Sequence, residues 1–381
     1  MKDVYRFSDL NLAAADAKDS REGMYRFRDV DRINLPIANI ETLDQTEVSC
    51  YIYTESDTEP VGPLLDRGWV LQERLLPTRV VYFGKNQVLW HCRQVSWSEA
   101  LASIELCSPP PTPSGQDGQH FIQDIFMGKS SSYEARDSWI QICEQYSRLS
   151  LSKPGDKLVA MSGIAGVFGQ QKEKDDEYLA GLWKSELPYG LLWYSKKCTR
   201  QPPVYQAPSW SWASLNIGVE WPYEYVDQDC CASWIGSTIA LCENKAKFGQ
   251  VTVGCSLTIK APIIPFEWSA LQDEEENYKT RLRIPSLGLV TIHTSIGYQG
   301  EFEFLQWDLV EDERNFEAKV ALILMKNSTD GIGICGILLL PYSPGHYRRA
   351  GFVHTTFFTD NHEQVEALLL DGRLQKEVIL V

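Results

Sequence analysis

The sequence predicts an α+β fold in which a helix-rich N-terminal half is followed by a β-rich C-terminal half. Between residues 133 and 187, apolar side chains recur at helical spacing. From Gln250 onward they gather instead into short, β-branched runs. No repeat of fixed period occurs, which argues against solenoids and propellers. A chain of 381 residues is longer than the roughly 250–300 at which single cores stop growing, so two or three domains are expected.

Taken in order, Val48–Tyr53 reads as a strand, and Asp66–Arg74 as a short helix after Pro63, capped by Asp66. Arg79–Phe83 and Gln87–Trp90 flank Gly84-Lys85-Asn86 and predict a hairpin. Ser108–Gly118 is a proline- and glycine-rich loop. Trp139, Ile142, Cys143, Tyr146 and Leu149 place a helix over 133–149, and Leu158–Phe168 is a second. Tyr178–Leu187 is a third, with Leu179, Leu182, Trp183 and Glu186 in register before Pro188. The later strands are expected at 251–259, 289–294, 301–305, 320–325, 332–340, 350–358 and 377–381, with one helix at Glu363–Leu370.

Hydrophobic residues at 44% and charged residues at 23% are ordinary globular usage and exclude a disordered chain. Lysine and arginine number 36 against 51 aspartates and glutamates, a net charge of −15. That field repels phosphate backbones, and without a Lys/Arg run no nucleic-acid partner is expected. Asp9, Asn11 and Asp16 interrupt every apolar stretch a secretory signal would need, and the longest apolar runs are strand-sized. No membrane partner is therefore expected, and the cytoplasm is the expected compartment. The ten cysteines then read as reduced, several of them as small core residues.

Five groups invite a chemical reading. Gly331–Gly336 fits the letters G-x-G-x-x-G, but a strand ending in Pro341 follows where a pyrophosphate site needs a helix N-terminus. His91 and Cys92 resemble a catalytic pair, yet neighbours on a strand face opposite ways. Cys230-Cys231 has no partner pair at zinc spacing, and His346, His354 and His362 straddle a turn, a strand and a helix start, so no metal is expected. Asp66, Arg67, Glu73 and Arg74 surround Trp69 and Leu71. They read as a structural ion-pair network, or alternatively as an acid–base Glu73 with Arg67 and Arg74 clamping an anion. Trp210 and Trp212, two apart on an extended segment, either fill a seam between domains or stack on a planar ligand. The candidate catalytic residues are thus Glu73, His91 and Cys92. The candidate binding residues are Arg67, Trp69, Arg74, Trp210 and Trp212, and no cofactor is expected.

Together these segments resemble a known family. Arg67-Gly68-Trp69-Val70-Leu71-Gln72-Glu73-Arg74-Leu75-Leu76, Phe83-Gly84 and Trp90-His91-Cys92 resemble the signature of fungal heterokaryon-incompatibility (HET domain) proteins. Tyr146-Ser147-Arg148, Asp156-Lys157-Leu158, Ser162–Ala165, Tyr178–Trp183, Ala207–Ser214 and Tyr347–Gly351 follow in the same order. Residues 1–30 resemble only the tail of a HET domain, 31–200 a helix-rich associated region, and 201–381 a β-rich C-terminal domain. The resemblance implies a role in non-self recognition and programmed cell death with a protein partner. It also implies a truncated or regulatory form, since the earlier motifs that carry the HET domain proper are not found. The alternative is a secondary-metabolite tailoring enzyme binding a small molecule between the two halves.

Overall fold

The computed structural model describes residues 2–27, 38–41, 44, 47–50, 60–92, 96–99, 132–197, 202–222, 230–243, 246–265, 271–272, 278–284, 288–294, 304–307, 319–327, 332–357 and 372–381. They divide into two compact units. One comprises Met1–Ile142, Leu149–Ser152 and Ala160–Gln171; the other comprises Cys143–Arg148, Lys153–Val159 and Lys172–Val381. The loop expected at 108–118 and the helix expected at 363–370 lie outside the described residues.

The first unit is built on a four-stranded sheet. It contains helix α1 (Lys2–Arg6) and strand β1 (Asn11–Ala13), the β2–β3 ribbon (Ala38–Glu41, Glu47–Cys50) and helix α2 (Val70–Leu75). Strands β4 (Arg79–Phe83), β5 (Val88–Cys92) and β6 (Ser96–Ser98) follow. The sheet order is β1-β4-β5-β6. β1 joins β4 in parallel, and β4–β5 is the expected hairpin, pairing Arg79 with Cys92 and Phe83 with Val88. One face of the sheet is core: Ala13, Val80, Tyr82 and Leu89 pack with Ala15, Leu65 and Val70.

Two longer helices, α3 (Ser132–Ser147, 16 residues) and α4 (Lys157–Phe168, 12 residues), form where helical spacing places them. Each contributes residues to both units. Within the first unit, Trp139 of α3 meets Phe168 of α4 edge-to-face at 5.1 Å. Gln72 of α2 donates its amide to the Ala160 carbonyl at the start of α4. A Cβ on Gly163 would collide with that Gln72 side chain, so glycine here lets α2 and α4 approach.

The remainder corrects the expected helix-rich N-terminal half, because the described residues taken together are sheet-dominated. Up to residue 200 the described residues hold eight strands against four α-helices, two of only five and six residues. Of two expected helices, the one at 66–74 starts late and the one at 178–187 does not form. Residues 66–68 are drawn into extended pairing, with Ser150 N–H donating to Asp66 O (2.7 Å) and Gly68 N–H to Ser150 O (2.8 Å). α2 therefore starts only at Val70, without a side-chain cap. At 178–187 the backbone turns sharply through Ala180 (φ 46°) and Gly181 (φ 107°). That turn joins two short strands, β7 (Tyr178–Leu179) and β8 (Leu182–Trp183), before a 3₁₀ turn at Lys184–Glu186. The apolar spacing was real, but a left-handed pair of residues cannot continue a helix.

The second unit is dominated by a larger sheet. Its strands are β9 (Ser233–Thr238), β10 (Ser256–Pro265), β14 (Phe304–Trp307), β15 (Lys319–Asn327), β16 (Ile332–Ser343), β17 (His346–Phe357) and β18 (Gln375–Leu380). β11 (Leu271–Gln272), β12 (Tyr278–Ile284) and β13 (Gly288–Thr294) form a separate three-stranded sheet. β10, β15, β16 and β17 pair antiparallel in succession, and β18 pairs antiparallel with β10. β18 also pairs in parallel with β17, through His346–Ile379 and Tyr347–Leu380. Five strands thus close into a ring, and closure removes edges that would otherwise recruit other chains. The continuous apolar runs of β15 and β16 follow from burial on both faces: Val320–Leu324 and Ile334–Leu339 are all buried. Gly336 belongs to this packing, since a Cβ there would lie 2.7 Å from the Ala321 carbonyl oxygen. The glycines of the G-x-G-x-x-G letters at 333 and 336 therefore sit inside a strand, and Gly331 lies outside the described residues.

Candidate functional site

The first-unit candidates do not converge on one site. Arg67 and Asp66 are exposed, while Trp69, Glu73 and Arg74 are half-buried. Among the described residues no ion pair involves Asp66, Arg67 or Glu73, so the expected charge network does not form there. The Glu73 carboxylate lies near the Tyr5 hydroxyl, and burial first, then that carboxylate, pushes the Tyr5 pKa up to about 12. The Glu73 backbone carbonyl accepts from Asn11 Nδ2 at 2.8 Å, which ties β1 to α2. His91 lies on the core face of β5, buried and edge-to-face with Tyr82 at 5.1 Å. Cys92 lies on the opposite face, as strand alternation requires. The two are not a dyad.

The second-unit candidates, Trp210 and Trp212, lie together in a buried cluster. Trp210 and Trp212 are fully buried, and the segment bearing them bends into a 3₁₀ turn (Trp212–Ser214) rather than running extended. The turn is capped by Ser211, whose Oγ accepts from Ala213 N–H at 3.1 Å and donates to Ala180 O at 2.5 Å. Trp212 Nε1 donates to Gly181 O at 2.9 Å. Trp193 Nε1 donates to Trp210 O at 3.0 Å, and Trp221 Nε1 to Gly190 O at 3.1 Å. The indoles of Trp193, Trp212 and Trp221 thus fill core volume with their rings and satisfy buried carbonyls with their N–H groups, whereas the Trp210 N–H is buried without a hydrogen-bond partner among the described residues.

Two buried cations complete this arrangement. Arg349 lies 3.4 Å above the Trp193 ring centroid and donates to the carbonyls of Leu191 (3.2 Å) and Trp193. Its own backbone N–H donates to Ser209 Oγ at 3.0 Å. Lys157 Nζ donates to the Leu215 carbonyl and lies 5.4 Å from the Trp212 ring centroid. Tyr146 packs edge-to-face on the same indole at 6.0 Å and donates its hydroxyl to Lys157 O at 2.8 Å. Burial lowers the Lys157 pKa to about 7. Burial pushes Cys143 itself well up, so it keeps its proton. The end of α3 is stitched on by Ser147 Oγ, which accepts from Val219 N–H (2.9 Å), and by Glu144, which accepts from Trp221 N–H (2.9 Å).

The segments at 146–148, 156–158, 178–183, 207–214 and 347–351 therefore interlock within the second unit. Reading residues singly missed Lys157, Cys143 and Arg349 as chemical groups. The available signal was their place inside apolar stretches, where a charge needs a specific partner. The arrangement supplies anchoring, with ring faces and donors turned inward to backbone. Among the described residues no group of three or more His, Cys, Asp or Glu side chains is placed to hold a metal ion. None of their helices is long and apolar enough to cross a membrane. No family model, curated protein or solved structure matches this chain.

Proposed function

We propose that this chain is an interaction or regulatory protein of the heterokaryon-incompatibility type, linked to fungal non-self recognition and programmed cell death, without a catalytic centre of its own. The link to that family rests on the ordered motifs of the sequence. The scaffold role is carried by one observation: Trp212, Trp193, Ser211, Lys157 and Arg349 spend their polar atoms on backbone carbonyls inside a packed core. Such groups hold a surface in place and leave little to meet a substrate. His91 and Cys92 on opposite faces weigh against the tailoring-enzyme alternative. The test is inducible expression of the chain alone in a fungal host. Normal growth is expected, and growth arrest absent with empty vector overturns the reading.

A further inference from the structure

The outer face of the four-stranded mixed sheet breaks the usual division of a one-sided sheet into an apolar inner and a polar outer side. Cross-strand register sets Leu12 opposite Val81, Val81 opposite Trp90, and Trp90 opposite Trp97. One apolar row therefore crosses all four strands, about 14 Å at the ordinary strand spacing. Its two ends are open, with Leu12 51% and Trp97 42% exposed. Val81 and Trp90 are half-buried between them. Phe83 and Val88, directly paired, extend the face along the strands, and Tyr25 meets Phe83 edge-to-face at 5.9 Å. A row of this kind is out of place on a solvated sheet and marks a binding surface.

Charge decides the kind of occupant. The chain as a whole carries −15, yet residues 60–99 hold five basic side chains and three acidic ones. Exposed Arg79 begins β4 on this outer face, with Nη1 donating to Asp9 O at 3.3 Å, and exposed Lys85 lies in the turn beyond its far end. Glu99, beside that end, is taken up by the Val88 N–H at 2.9 Å. Along β4 the apolar face is thus flanked by two cations, Arg79 at the start of the strand and Lys85 in the turn past its end, at most about 20 Å apart. At 1.5 Å per residue, about 13 helical residues span that distance.

We infer that this face docks an amphipathic helix of a partner protein, about 13 residues long, apolar on one stripe and acidic near both ends. The inference rests on the interaction-protein reading above and names the surface and partner chemistry for it. The test is selection of a displayed library of 13-residue helical peptides on the full chain. Enriched peptides are then measured by fluorescence anisotropy against wild type, Trp97→Ala and Arg79→Glu, all first compared by circular dichroism. The expected peptides carry apolar residues at i, i+3, i+4 and i+7 with Asp or Glu near each end. Their affinity is expected to fall at least about tenfold with Trp97→Ala. Arg79→Glu is expected to weaken binding and flatten its salt dependence. Should Trp97→Ala lose the wild-type spectrum, Arg79→Glu alone decides. Peptides without acidic ends, or peptides indifferent to both variants, overturn the inference. So does a wild-type dimer in sedimentation that Trp97→Ala dissociates, because the occupant is then a second copy. Growth arrest in the expression test would remove the interaction-protein reading and leave this surface standing; selected peptides that ignore the face, with normal growth, would do the reverse.

Discussion

Burial of the Lys157 ammonium in the second unit lowers its pKa from 10.5 to about 7. The unfolded chain binds that proton up to its ordinary value and the folded chain only up to about 7. Stability therefore rises with pH across that window, and the cost of burying the charge is fully present below it. Above 9.0 the Cys143 thiol, raised by burial, acts with the opposite sign, so the clean interval is pH 7 to 9. Urea denaturation should show wild type gaining up to about 2 kcal/mol over that interval. The Leu215 carbonyl and the Trp212 face favour the charged form and reduce this gain. Lys157→Met should flatten the profile, and parallel profiles for the two proteins would show that Lys157 does not titrate there.

At the scale of elements, the β7–β8 turn shows why apolar spacing misled. Ala180 and Gly181 adopt positive φ, and the carbonyls they expose are taken by Ser211 and Trp212 from a distant segment. A Cβ on Gly181 would lie 2.8 Å from Trp212 Nε1, in a backbone conformation that L side chains rarely adopt. Gly181→Ala should therefore cost about 2–4 kcal/mol, through backbone strain and loss of the indole hydrogen bond. Thermal unfolding checks this, and a loss under about 1 kcal/mol would mean that the turn is not locked by the tryptophan. The β4–β5 hairpin, by contrast, was legible because its turn residues and flanking strands are contiguous.

At the scale of the whole molecule, the ring of five strands depends on its last member. β18 lies between β10 and β17, and Val381 N–H donates to Tyr347 O at 3.0 Å just beyond it. A chain ending at Gly372 would open the ring and expose the paired edges of β10 and β17. The second unit should then lose the near-ultraviolet signal of its buried tryptophans. Retention of that signal with cooperative unfolding would show that four strands suffice.

Local information alone determined the hairpin, the two long helices, most of the late strands and the inward-outward split of His91 and Cys92. Each of these is set by residues near one another in the chain. Only the tertiary structure decided that Leu12, Val81, Trp90 and Trp97 form one row, because register between strands depends on pairing across the sheet. It likewise decided that Trp210 and Trp212 face the core, since Trp212 donates to Gly181, 31 residues away, and the Trp210 carbonyl accepts from the Trp193 indole. Strand closure and long-range hydrogen bonding leave no periodic trace in a sequence, and that is why the anchoring core and the open sheet face emerge only in three dimensions.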